Sequence, residues 1–319
     1  MDRLDSIDRI KLGIFPTPLH RLKNISEHVK TNVWIKRDDM TGVGLGGNKV
    51  RKLEFLLAEA KKQGAKIVLT TGGAQSNHAM LTACCANRLG MRPILVLKDK
   101  GVTAKKGNQL LEFLMGTEVI FEKTDSYDVI NEKMDSIGRE SEEKYYSIPV
   151  GGSNGLGALG YVDCIREIAL QEKERGIKFT HIICPEGSGG THAGIALGAK
   201  LYMPHVKVIA MKVDTDPFEQ ITPGIARESA RLLGVDIEIK DNFNHMDCCG
   251  SGYAIPSEEG NAAIKLLAKM EGLFLDPVYS GKAFSGLLNL AKTGEFGLED
   301  NVIFLYSGGA GGLFAIDVE

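Results

Sequence analysis

The feature that most constrains this chain is the alternation of short apolar runs with helix-like segments along most of its length. Residues 66–71, 92–97, 118–122 and 146–149 read as strands, and 76–89, 106–115 and 128–144 as helices. Further along, 181–185, 206–213 and 302–306 read as buried strands, with helices at 191–201, 257–270 and 282–291. Parallel strands need a crossover of about a dozen residues or more, which a helix supplies, so this rhythm predicts an α/β protein with mostly parallel sheets. The expected architecture is two open twisted sheets with helices on both faces. The continuous stretch 55–149 forms a small α/β domain, and 1–54 and 150–319 combine into a large, discontinuous one.

Ligands in such folds sit beyond the carboxyl ends of the strands. Three strand-to-helix loops there are rich in glycine and small polar residues: 71–78, 186–191 and 307–312. A cleft between the two domains would bring all three together. The 319 residues carry a formal charge of −3 and no basic stripe, which argues against nucleic acid as a partner. Residues 1–11 are charged and hold no apolar run of signal or anchor length, so a cytoplasmic protein without membrane contact is expected. Cys84, Cys85, Cys164, Cys184, Cys248 and Cys249 have no metal-like spacing. They are expected to be mostly buried thiols, and no metal site is expected.

The run Gly44-Leu45-Gly46-Gly47-Asn48-Lys49 precedes Val50, Leu53, Leu57 and Ala60 at helical spacing, so Lys49 opens a helix. One reading is an exposed lysine after a turn. The other is an amine near the positive end of a helix in a partly dry cleft, where its protonated form is disfavoured. Such a lysine serves as a nucleophile and forms a Schiff base with a carbonyl cofactor. The loop Gly187-Ser188-Gly189-Gly190-Thr191 sits between a strand and a helix, where free backbone N–H groups cradle a phosphate. It has neither the nucleoside-triphosphate loop pattern nor the dinucleotide fingerprint. Ser76 is placed to cap a helix, and the free amides around it are a receptor for a carboxylate. Asn77 is a hydrogen-bond partner for a ring hydroxyl, and His78 stands beside it. Tyr253 and Tyr279 lie in loops just before helices and gain a role if they face a cofactor.

Taken in chain order, the motifs resemble the fold type II, tryptophan synthase β-like family of pyridoxal-phosphate enzymes. Within it they resemble the group of D-cysteine desulfhydrase and 1-aminocyclopropane-1-carboxylate deaminase. The matching stretches are 16–19, 35–39, 46–54, 75–78, 188–191, 276–279 and 307–309. The resemblance implies that Lys49 carries pyridoxal 5'-phosphate, that residues 187–191 hold its phosphate and that Asn77 meets its ring hydroxyl. It implies that Ser76, with Asn77 and His78 beside it, receives the substrate carboxylate, and that Tyr253 and Tyr279 flank the substrate as catalytic groups. A homodimer is also implied.

Two positions depart from the deaminase pattern. Ser280 stands where the deaminase has glutamate, and Ser307 where it has leucine. A hydroxyl is a poor proton donor to the pyridine nitrogen, and an unprotonated ring is a weaker electron sink. By this resemblance the expected reaction is β-elimination from a β-substituted alanine, D-cysteine first, giving pyruvate, hydrogen sulfide and ammonia. Ser307 is the first choice for the residue at the ring nitrogen and Ser280 the second. The alternatives are an L-cysteate sulfo-lyase, whose substrate carries a second anion that His78 or another cation would meet, and the deaminase itself. A binding protein that kept the fold without catalysis is a fourth reading, opposed by the intact Lys49, Asn77 and 187–191.

Overall fold

The computed structural model describes residues 3–236 and 243–318. In chain order the elements are β1 (Leu19–Arg21), α1 (Lys23–Val29), β2 (Asn32–Arg37), α2 (Lys49–Lys62), β3 (Ile67–Gly72), α3 (Asn77–Arg88), β4 (Arg92–Lys98), α4 (Gly107–Leu114) and β5 (Glu118–Glu122). They continue with α5 (Tyr127–Glu140), β6 (Tyr145–Ile148), α6 (Gly155–Arg175), β7 (His181–Glu186), α7 (Gly190–Tyr202), β8 (Lys207–Lys212) and α8 (Phe218–Leu232). The last are β9 (Asn244–Asp247), α9 (Glu258–Glu271), α10 (Ser280–Lys292), β10 (Asn301–Tyr306) and α11 (Ala310–Leu313).

Two sheets organise the chain. The larger runs β1-β2-β10-β7-β8-β9 and the smaller β5-β4-β3-β6. Every pairing is parallel except β1 with β2. Successive side chains of a strand point to opposite faces, and the core shows it. Val302, Phe304 and Tyr306 pack toward α9 and α10, while Ile303 and Leu305 pack toward α6 and α7. Ile209 and Met211 alternate in the same way with Val208 and Ala210. In the smaller sheet Ile67, Leu69, Ile94 and Val96 face α5, and Leu95 and Leu97 face α3. Phe304→Ala would remove a fully buried ring at a cost of about 3–5 kcal/mol.

Helix α2 is continuous across 54 and 55, so the expected boundary between the two regions falls inside one helix. Seven elements escaped the sequence reading: β1, α1, β2, α6, α8, β9 and α11. The 21-residue α6 opens with Gly155, Gly157 and Gly160. Those glycines serve close approach: a Cβ on Gly160 would lie 2.4 Å from the Arg51 carbonyl oxygen, and one on Gly194 of α7 2.2 Å from that of Ala158. Helix α8 carries Pro223 in its interior, and β9 is polar, at the edge of the sheet.

Candidate active site

Lys49 reaches the site through its preceding turn. Gly44, Gly46 and Gly47 have φ of 55°, 74° and 144°. A Cβ on Gly46 would lie 1.7 Å from the Asp39 carbonyl oxygen, so only glycine fits there. The turn is tied down where Thr41 Oγ1 accepts from the Gly47 amide at 3.0 Å and where the Asn48 amide donates to the Ser307 carbonyl at 2.9 Å. The second bond joins the start of α2 to the end of β10. Lys49 lines the cavity between the sheets. Burial lowers its pKa to about 8, and among the described residues no carboxylate pairs with it. A sizeable fraction of its amine is therefore unprotonated near neutral pH.

Lys52, one turn further along the same face of α2, was not anticipated; its i+3 spacing from Lys49 was the available signal. It is fully buried. Its Nζ donates to the Gly151 carbonyl at 3.1 Å and Ser153 Oγ at 3.3 Å. Burial, and then the nearby charge of Lys49, push its pKa well below the ordinary value.

The loop 187–191 runs from β7 into α7. Gly189 takes φ of 77°. Ser188 Oγ shares a hydrogen bond of 2.9 Å with Ser153 Oγ, and Thr191 Oγ1 accepts from Asn48 Nδ2 at 3.1 Å. Gly187, Ser188, Gly189 and Thr191 line the cavity. Gly190 instead backs onto Ser153 and Lys52: a Cβ there would lie 2.6 Å from Ser153 Oγ and 2.8 Å from Lys52 Nζ.

At the other wall, Ser76 caps α3, its Oγ accepting from the Ala79 amide at 3.2 Å. Asn77 lines the cavity and is held by Asn108 Nδ2, which donates to its Oδ1 at 2.8 Å. His78 does not offer a cation. Thr70 Oγ1 donates to the Ile148 carbonyl at 2.8 Å, so the proton between Thr70 and His78 Nε2, 2.8 Å apart, sits on the imidazole. Burial, then the charges of Lys49 and Lys52, hold the pKa of His78 well below its ordinary value. The imidazole is neutral, which corrects the expectation that it could meet a second substrate anion.

Tyr253 and Tyr279 meet across the cavity, their hydroxyls hydrogen-bonded and their ring centroids 5.9 Å apart. Burial raises Tyr253 to about 12 and Tyr279 well above its ordinary value, so both keep their protons at neutral pH. Lys282 Nζ donates to the carbonyls of Cys249 (2.5 Å) and Gly252 (2.9 Å), fixing the loop that carries Tyr253. Asp276 accepts from the amides of Val278, Tyr279 and Ser280 and so starts α10.

The two serines part company here. Ser307 ends β10 and lines the cavity, and no protein group takes its hydroxyl among the described residues. The Ser280 hydroxyl is fully buried and committed, donating to Asp276 Oδ1 at 2.5 Å and accepting from the Asp276 amide at 2.8 Å. It is not among the residues lining the inner cavity, which corrects its expected place at the cofactor. The six cysteines are unpaired. Burial raises Cys85 to about 12, far from a reactive thiolate.

An aldehyde-bearing phosphate fits this donor set. A partly neutral lysine faces the cavity, and a loop of glycines opens N–H groups beside a buried ammonium that has no carboxylate partner. The comparisons agree. A family profile described as "Pyridoxal-phosphate dependent enzyme" matches residues 10–308. The chain belongs to that family. Its cofactor is pyridoxal 5'-phosphate. A D-cysteine desulfhydrase of Klebsiella pneumoniae is 39% identical over 324 residues, covering 99% of this chain and 98% of that one. A Thermotoga maritima protein, provisionally named a 1-aminocyclopropane-1-carboxylate deaminase, is 40% identical over 96% of this chain and 98% of its own. The crystal structure of an ACC deaminase homologue superposes with a TM-score of 0.92 at 38% identity, covering 98% of this chain and 95% of that one. The protein is thus a pyridoxal-phosphate-dependent lyase of the group these relatives define. Among the described residues no helix is long and apolar enough to cross a membrane.

Proposed function

We propose that the enzyme eliminates the β-substituent of a β-substituted alanine, with D-cysteine the best-fitting substrate, to give pyruvate, hydrogen sulfide and ammonia. The observation that carries this choice is Ser307: a hydroxyl-bearing residue directly after β10 lines the cavity. The bound pyridine ring would supply an electron sink, and a hydroxyl partner leaves that sink weak. A weak sink suffices to expel a thiolate but suits the opening of an unactivated cyclopropane poorly.

The residues divide the remaining work. Loop 187–191 and Lys52 would hold the phosphate, and Asn77 the ring hydroxyl. Ser76 and the free amides at the start of α3 would receive the substrate carboxylate. Lys49, released to its neutral form, would take the α-proton. The Tyr253–Tyr279 pair would deliver a proton to the departing sulfur, since raised pKa values keep both hydroxyls protonated. Asp214 also lines this cavity and disfavours a substrate whose side chain is a second anion, which weighs against L-cysteate.

Residues 55–149 would act as the smaller body, with the start of α2 as the joint to the larger one. We further propose a cytoplasmic homodimer; sedimentation as a concentration-independent monomer would contradict that assembly. The decisive experiment offers D-cysteine, L-cysteine, L-cysteate and 1-aminocyclopropane-1-carboxylate to the purified holoenzyme and measures pyruvate, sulfide and sulfite. Pyruvate and sulfide from D-cysteine, with the cyclopropane slow or inert, are expected. Efficient turnover of the cyclopropane, or sulfite from L-cysteate, would overturn the assignment.

A further inference from the structure

Behind the phosphate loop lies a cluster that the proposed reaction does not use. Glu186, the last residue of β7, is fully buried. Its Oε1 accepts from Nδ1 of His192 at 2.9 Å, and its Oε2 from Nδ1 of His245 at 2.7 Å. His192 lies in the first turn of α7 and His245 on β9, with side chains 0% and 7% exposed. Thr222 of α8 donates its hydroxyl to Glu186 Oε1 at 2.7 Å. Four elements thus converge on one carboxylate. The far nitrogen, Nε2, of each imidazole is buried and has no hydrogen-bond partner among the described residues. Among the described residues nothing on the far side of either ring fixes its tautomer, so Nε2 can carry the proton if Nδ1 is taken.

We propose that Glu186, His192 and His245 form a binding site for a divalent transition-metal ion of the zinc class. The three side chains each offer a ligand atom within 4.8 Å of the others. Two imidazole nitrogens with one carboxylate are a donor set for zinc and its neighbours rather than for calcium or magnesium, which prefer oxygen. Nitrogen–oxygen separations of 2.7 and 2.9 Å are hydrogen-bond lengths; ligand atoms bonded to one tetrahedral ion at about 2.0–2.2 Å lie about 3.4 Å apart, so binding opens each pair by about half an ångström. The Thr222 hydroxyl orients the carboxylate from behind, the supporting contact such sites need. Glu186 and His192 also line the cofactor cavity, so the cluster borders it although both side chains are buried. Binding replaces two hydrogen bonds to Glu186 with two metal–nitrogen bonds, and each imidazole gives up its Nδ1 proton and keeps one on Nε2. An ion there joins the residues on either side of loop 187–191 to β9, so it ties the phosphate loop to the edge of the large sheet. The loop's tie to this cluster is independent of which amino acid the enzyme cleaves.

The test is zinc titration of the holoenzyme, followed by metal analysis after desalting. About one zinc per chain is expected, with a higher melting temperature when it is bound. His245→Ala and Glu186→Gln should each weaken uptake by about 100-fold or more, while their metal-free melting shows that they fold. No retained zinc in the wild type, or equal uptake by wild type and both variants as buried thiols would give, overturns the proposal. X-ray absorption on the zinc-loaded wild type decides it without variants. A first shell of nitrogen and oxygen with two imidazoles supports the site, and sulfur in the shell overturns it.

Discussion

Two groups of buried cations lie within a few turns of each other, and their surroundings are opposite. Beneath α2, Lys36 and Arg51 are buried against carboxylates. Lys36 Nζ donates to Glu167, to the Thr17 carbonyl at 2.7 Å and to Gln171 Oε1 at 2.9 Å. Arg51 meets Asp38 through two nitrogens, at 2.8 and 2.9 Å, and Tyr161 adds its hydroxyl to Asp38 at 2.7 Å. Burial opposes the charge of Asp38, but Arg51, Lys36 and the Tyr161 hydroxyl together outweigh it and hold the carboxyl below its ordinary value. On the cavity side of the same helix, Lys49 and Lys52 have no carboxylate, and both have lowered pKa values. A buried cation whose counter-charge is built into the protein is structure. A buried cation without one is a place for an anion or for chemistry.

That contrast can be broken by mutation, and the largest effect belongs to Lys49. Lys49→Ala should lower turnover by about 10³-fold or more, since it removes both the cofactor anchor and the proposed base. Borohydride reduction of the native protein followed by peptide mapping should tag Lys49; a tag on Lys52 would reverse the roles of the two lysines.

Lys36→Met acts on the other side of the contrast. It leaves Glu167 with Arg51 and the Thr17 amide but without its lysine and should cost about 3–5 kcal/mol of folding stability, read by denaturant unfolding. An unchanged midpoint would mean that the network carries no stability. Tyr279→Phe should cut kcat by about 10²-fold with a smaller change in KM, because it removes a proton donor and little packing. A change confined to KM would make Tyr279 a binding residue only.

Lys52→Met tests the unpaired cation that is not the anchor. It should weaken cofactor binding by roughly 10–100-fold, the loss of one charge-assisted contact. Equilibrium dialysis reads this, and the unfolding midpoint of the cofactor-free protein should not fall.

The smallest effect is in pH. Only the neutral amine of Lys49 captures the cofactor aldehyde. The capture rate of the cofactor-free protein should therefore rise about tenfold per pH unit below about 8 and flatten above it. A rate still climbing toward the ordinary lysine value of about 10.4 would mean that the site is not dry.

Most of this was legible in the sequence for identifiable reasons. Strands such as 302–306 announced themselves because a local apolar run is buried throughout. The start of α2 was readable because the glycines of 44–47 have no alternative residue. Helix α6 was not, because its glycines answer to contacts with α2, α8 and the turn at Gly152 rather than to its own backbone.

The sequence by itself determined the α/β class, the lysine proposed as the anchor and the loops that line the cavity, since each depends on neighbours within a few residues. Only the tertiary structure decided which of two serines lines the cavity, that His78 is neutral, and that Lys52 has no carboxylate partner beside loop 187–191. It alone assembled Glu186, His192 and His245, which lie on three elements. Burial, hydrogen-bond partnership and charge are set by what the rest of the chain places around a side chain, and no local spacing encodes that.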